Sequence, residues 1–181
     1  MGKVKGMLIS VLVNMINADN KEAFDKWLED EDREILSGSF FASSWYPFST
    51  YRRLFDAAVQ VVAKGDEKAV HQWGYNYSRT LMTGTYKAMF VPNEPLKCIE
   101  KNMYLESLFF DFGKIEMKRT GENRFEIHLN GFPKDFKNLY LIKRGWYVGI
   151  LEMARAQNVQ SNFISKSWQG APTTIIEYRF S

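Results

Sequence analysis

The sequence predicts an α+β domain: an N-terminal helical half, then a four-stranded antiparallel sheet whose two hairpins are separated by a long helix. Three observations predict it. Apolar residues recur at helical spacing up to about residue 110. The period then drops to two: Ile115 and Met117 alternate with Lys114, Glu116 and Lys118, and Phe125, Ile127 and Leu129 alternate with Glu126, His128 and Asn130. A helical pattern returns from about Asp135 to Ala156 and is followed by extended stretches at Gln160–Gln169 and Thr173–Phe180. A chain of 181 residues suits one domain spanning 1–181, large enough to bury a core without staples.

Taken in order, Met7–Ile16 reads as a first helix that is apolar almost all round, so it should be covered on most sides. Asn20 is the expected N-cap of the next helix, with Phe24, Trp27 and Leu28 on one face. The acidic run Glu29-Asp30-Glu31-Asp32 reads as a solvated corner, because consecutive acids on a helix point in different directions. Ile35 and Leu36 re-enter the core before Ser37-Gly38-Ser39 breaks the pattern. The stretch Ser43–Tyr51 packs four aromatics and a proline into nine residues. Pro47 suits the first turn of a helix running to about Lys64, with Ser44 as its cap and Gly65 as its stop. Phe48, Tyr51, Phe55, Ala58 and Val62 form that helix's apolar stripe.

Asp66 opens a further helix with Val70, Trp73, Tyr77 and Leu81 as its seam. Gly74 inside it costs about 1 kcal/mol relative to Ala, which points to a close helix approach or to space left for something else. Its neighbouring stripe, His71, Tyr75, Ser78 and Arg79, is polar yet rich in rings, so it reads equally as a pocket wall or as a partly exposed face. Asn93-Glu94-Pro95 starts a helix to about Phe110, and Gly113 stops it. Gly121-Glu122-Asn123 turns the first hairpin, with His128 on its polar face. In the last helix the Gly145-x-x-x-Gly149 spacing permits close backbone approach, through internal packing or a dimer seam.

Composition narrows the function. The 14 Phe, 9 Tyr and 5 Trp can fill a core or line an apolar cavity. A net charge of +3, spread along the chain, lacks the clustered basic face of a nucleic-acid binder, so no nucleic-acid partner is expected. Cys98 is the single cysteine, so no intrachain disulfide and no Cys-pair zinc site can form, and a reducing, cytoplasmic setting is expected. The apolar run after Lys3-Val4-Lys5-Gly6 has no small-residue cleavage site behind it and is too short to span a bilayer. There is no phosphate loop and no Gly-x-Ser-x-Gly elbow, and the two histidines lie in dissimilar contexts. No catalytic residue and no metal ligand is therefore assigned, and no cofactor is named.

Lys5-Gly6 before the first apolar helix, Ser43-Ser44-Trp45-Tyr46-Pro47-Phe48 before a long helix, Phe109-Phe110-Asp111-Phe112-Gly113, Gly131-Phe132-Pro133 and Gly145-Trp146-x-x-Gly149 together carry a resemblance. Over nearly its whole length the chain resembles an uncharacterised bacterial family much expanded in myxobacteria. That family is similar to the superfamily of 4-vinyl-reductase-like domains, heme–nitric-oxide-binding domains and TRAPP trafficking subunits. The resemblance implies a small apolar or acyl ligand held between helices and sheet, or a dimeric scaffold. Two departures stand out. The cysteine-bearing turn of many 4-vinyl-reductase-like domains is Gly170-Ala171-Pro172-Thr173-Thr174 here, without cysteine. The Tyr-x-Ser-x-Arg signature of heme-binding relatives is met only by Tyr77-Ser78-Arg79, at the wrong spacing, which leaves His71 as a remote candidate for an axial ligand.

The expected function is a non-enzymatic, small-molecule-binding or sensory domain. Trp45, Tyr51, Trp73, Tyr77 and Trp146 are the expected pocket walls, each of them also a natural core residue. The alternative is a homodimeric protein-interaction scaffold with a filled interior and with Gly145 and Gly149 at its seam.

Overall fold

A computed structural model describes residues 2–18, 21–37 and 41–181. They fall into two compact units: Met1–Asp66 with Leu108–Phe112, and Glu67–Ser107 with Gly113–Ser181. Among the described residues, no helix is long and apolar enough to cross a membrane.

The first unit holds β1 (Lys3–Lys5), α1 (Gly6–Ala18), a 3-10 segment (Lys21–Trp27), α2 (Asp30–Ser37), β2 (Trp45–Pro47) and α3 (Phe48–Val61). The apolar α1 buries Ile9, Leu12, Val13 and Ile16. Strand β1 pairs antiparallel with β2, Val4 opposite Tyr46. Its other edge binds the returning segment Leu108–Phe112: Val4 bridges to Phe110, and the Lys5 amide donates to the Phe109 carbonyl at 2.9 Å. Phe110 and Phe112 then lie edge-on to Tyr51 and Phe48 of α3, at centroid distances of 6.4 and 5.0 Å. Three of the stretches that carry the resemblance thus meet in one small sheet.

Gly6 is required there, because a Cβ would collide with the Phe41 carbonyl oxygen. Lys5 Nζ sits 4.2 Å above the Trp45 ring and donates to the Ser43 carbonyl at 2.9 Å.

Several expectations change in this unit. Residues Trp45–Pro47 are a strand and not a helical first turn; Pro47 is extended (φ −56°, ψ 137°) and immediately precedes α3. Ser44 does not cap the helix; its carbonyl instead accepts the Gly6 amide at 2.9 Å. The free edge of β1 supplied the backbone partners that drew this stretch out of the helix. Helix α3 ends at Val61, before Lys64 and Gly65 turn with positive φ. Asn20 lies outside the described residues, and so do Gly38 and Ser39. The stretch after Asn20 is a 3-10 segment that buries Phe24 but leaves Trp27 exposed.

The acidic run is no solvated corner throughout, because Asp32 is fully buried. It accepts Arg53 Nε at 2.8 Å and Nη2 at 2.9 Å, and Glu29 and Glu31 add further ion pairs to the same guanidinium. The Asp32 hydrogen bond raises the Arg53 pKa against the opposing effect of burial, so α2 and α3 are clamped by a permanent charge.

The second unit holds α4 (Glu67–Thr83), α5 (Pro95–Ser107), β3 (Lys114–Gly121), β4 (Arg124–Asn130), α6 (Lys137–Met153), β5 (Gln160–Ser165) and β6 (Thr174–Arg179). The four strands form an antiparallel sheet in the order β3-β4-β6-β5, so the α+β class and the two hairpins around a long helix stand as read. Register places Phe125 opposite Tyr178, Ile127 opposite Ile176 and Leu129 opposite Thr174 on one buried face. Helix α5 stops at Ser107 and not near Phe110, because Leu108–Phe112 pair with β1.

Candidate functional site

The helices of the second unit are positioned by glycines. A Cβ at Gly74 would strike the Ile142 carbonyl oxygen on α6. One at Gly145 would strike the His71 carbonyl oxygen on α4, and one at Gly149 would strike Ser78 Oγ and lie 2.7 Å from the Tyr75 carbonyl. Helices α4 and α6 therefore touch backbone to backbone, with Ser78 buried between them. Both expectations for Gly74 and for the Gly145–Gly149 pair resolve to internal packing. These two glycines cannot also form the seam of a dimer, since α4 already covers them.

That contact sets the aromatic residues. Tyr77 on α4 meets Trp146 on α6 edge-on, with ring centroids 5.6 Å apart. Trp73, one turn before Tyr77, is half-buried. Burial pushes the Tyr77 hydroxyl above its usual pKa, so the phenol stays neutral. Trp146 is 6% exposed, and its indole N–H is buried without a hydrogen-bond acceptor. The other two expected wall residues belong to the first unit. Tyr51 is buried against Phe48 and Phe55 at 5.9 and 5.7 Å, whereas Trp45 is 41% exposed beneath Lys5.

Between α6 and the sheet the interior is filled by rings. Phe125 stacks on Tyr178 at 5.1 Å, and Tyr147 of α6 meets Tyr178 edge-on at 6.0 Å. Beside them lies a polar group that pattern-reading missed. Lys143 of α6 forms an ion pair with Glu106 of α5, and both side chains are 5% exposed. The Lys143 ammonium also lies 5.2 Å from the Phe132 ring centre. Burial, and then the neighbouring Glu106 carboxylate, push the Tyr147 hydroxyl well above its ordinary pKa. Lys143 and Glu106 stand 37 residues apart in sequence, so no local signal marks them as partners.

The remaining reactive groups are engaged separately. His71 is half-buried on α4, its pKa lowered by burial and by the Arg144 guanidinium. His128 bonds Glu126 Oε2 at 2.8 Å on the outer face of the sheet. Cys98 Sγ donates to the Val91 carbonyl at 3.0 Å, and burial raises its pKa. Among the described residues, no group of three His, Cys, Asp or Glu side chains converges on a metal site.

Two depressions lie among the described residues. One, of about 420 Å³, lies beside β5 and is lined by Phe163, Ile164, Lys166 and Gln169 among others. The other, of about 170 Å³, lies in the first unit between Ile16, Leu28, Arg33 and Leu36. Neither is lined by the expected aromatic residues.

No protein-family model matches the sequence, and no curated protein does. Solved structures do match. An H-NOX protein from S. oneidensis in the Fe(II)NO ligation state aligns with a TM-score of 0.71 at 15% identity, over 98% of this chain and 99% of that one. A mutant structure of T. Tengcongensis H-NOX gives 0.70 at 11% identity, over 98% and 97%. An oxygen-binding H-NOX domain related to soluble guanylate cyclases, in its oxygen complex, gives 0.69 at 10% identity, over 98% and 95%. These structures represent the heme–nitric-oxide-binding branch of the resemblance drawn from the sequence motifs. Along nearly its whole length, this chain has the H-NOX fold.

Proposed function

We propose that this protein is a non-enzymatic, small-molecule-binding sensory domain that holds an apolar ligand against Trp73, Tyr77 and Trp146. The observation that carries the reading is the end-to-end match to H-NOX domains, at 98% of this chain and 99% of the S. oneidensis protein. Solved members of that fold are described in nitric-oxide-ligated and oxygen-bound states, so the architecture serves ligand binding in its relatives. The orphaned indole N–H of Trp146 supports the choice of wall: it is a buried donor in an aromatic setting, suited to an acceptor atom on an otherwise apolar molecule. The placement of the histidines supports a non-catalytic role: His128 bonds the Glu126 carboxylate at 2.8 Å on the polar face of the sheet, and His71, on a different element, lies near the Arg144 guanidinium, so the two do not share one site.

Native mass spectrometry of the protein purified from its expression host, with an absorption scan of the same sample, tests the proposal. A retained small molecule whose occupancy falls in Trp73→Ala, at nearly unchanged melting temperature, is the expected result. A bare chain, or a Trp73→Ala protein that loses its fold while keeping its ligand, would overturn it.

A further inference from the structure

We infer that this chain carries the H-NOX fold without heme, so that the signal it receives is a metal-free organic molecule and not a diatomic gas. Heme iron is held by an axial histidine, thiolate, thioether or phenolate that faces an apolar space wide enough for the macrocycle. The two histidines and the cysteine are placed for other contacts. His128 is bonded to Glu126 on the polar face of the sheet, with Glu116 opposite it in register. His71 stands where α4 and α6 are in backbone contact through Gly145, with the Arg144 guanidinium close by. A fixed cation beside the imidazole works against a second cation bound to it.

Cys98 both donates to the Val91 carbonyl and accepts the Val91 amide, at 3.0 and 3.1 Å, and its burial favours the thiol over the thiolate that would ligate iron. Burial likewise keeps the Tyr147 and Tyr178 phenols protonated.

The interior itself is wrong for a porphyrin. Helices α5 and α6 are tied directly by the buried Glu106–Lys143 pair, and separating them to admit a flat apolar ring would strand both charges. Tyr77, Ser78 and Arg79 also fail as a propionate-binding set, because they diverge. Tyr77 meets Trp146, Ser78 is buried against the site of Gly149, and Arg79 lies exposed over the Tyr75 ring at 5.3 Å.

The test is expression with the heme precursor δ-aminolevulinate supplied, followed by hemin titration of the purified chain, gel filtration and a pyridine hemochrome assay. The expected result is substoichiometric heme, no saturable Soret band, and no spectral response of the dithionite-reduced sample to nitric oxide. One equivalent of heme surviving gel filtration, with a Soret band that nitric oxide shifts, would overturn the inference; loss of that band in His71→Ala would then identify the ligand. The outcome is separable from that of the ligand-binding proposal. Retained heme overturns this inference and leaves a binding domain, whereas a chain that retains nothing overturns the bound ligand, on which the organic signal rests, and leaves only the heme-free fold standing.

Discussion

Single side chains carry much of the second unit's geometry, and Gly149 is the sharpest case. Any side chain there meets Ser78 Oγ and the Tyr75 carbonyl on α4. Gly149→Leu should therefore cost about 3 kcal/mol or more, as overpacking against backbone does, and lower the melting temperature by about 6–12 °C. A folded variant with unchanged melting would overturn this packing. In the first unit, Asp32→Asn removes the buried partner of Arg53. Because Arg53 is 22% exposed and keeps Glu29 and Glu31, we expect a loss of about 2 kcal/mol in urea denaturation. Restoration of stability by Arg53→Met in the Asp32→Asn background would confirm that the cost is a stranded charge.

Glu177 gives a pH dependence. Burial disfavours its charged form, but the Arg124 hydrogen bond, with the Arg124 and Arg179 charges, outweighs it and leaves the folded-state pKa below 4.5. The unfolded chain thus binds this proton first as pH falls, so the contribution is complete above about pH 4.5 and is lost in the acid range below it. Glu177→Gln should flatten that part of the stability profile.

At the scale of elements, helix α6 and the sheet share a core whose phenols are held protonated. Tyr147 and Tyr178 both have pKa values raised well above 10, chiefly by burial. A raised folded-state value means full stability below pH 10 and progressive loss above it, as the unfolded chain gains tyrosinates the folded one refuses. Alkaline titration followed at the tyrosinate absorption band should therefore release the buried phenols in one step that coincides with loss of ellipticity. A smooth titration preceding unfolding would refute this packing.

The same elements explain what could be read from sequence. The strands of the first hairpin were legible because one face alternates Phe125, Ile127 and Leu129, a local pattern of period two. Gly74, Gly145 and Gly149 are conspicuous inside helical runs, so close approach was legible as one of two readings at each; that α4 and α6 are each other's partners was not. The strand at Trp45–Pro47 was not legible, because its partner Lys3–Lys5 lies some forty residues upstream and is too short for its alternation to mark a strand. Asp32 was taken for a wet residue for the same reason: a charge is buried by a remote counter-ion, and no local period announces one. The five aromatic wall residues were found as aromatic positions only; which of them share a unit depends on tertiary contacts.

For the whole molecule, the chain order matters more than any one contact. The first unit is not contiguous: Val4, Lys3 and Lys5 take their partners from residues Phe109–Asp111, and Phe48 and Tyr51 pack on Phe112 and Phe110. A fragment of residues 1–66 should accordingly lack native near-ultraviolet circular dichroism, and deleting Leu108–Phe112 from the intact chain should weaken the same signal. A fully folded 1–66 fragment would contradict the role given to that segment. During synthesis the arrangement imposes a delay. Leu108–Phe112 leaves the ribosome only after the whole of Glu67–Ser107, which at about 5–20 residues per second takes roughly 2–8 s. Through that interval the apolar α1 and the aromatics of α3 are exposed with an open strand edge, so the nascent chain is a natural client for a chaperone that shields hydrophobic surface until the returning strand arrives.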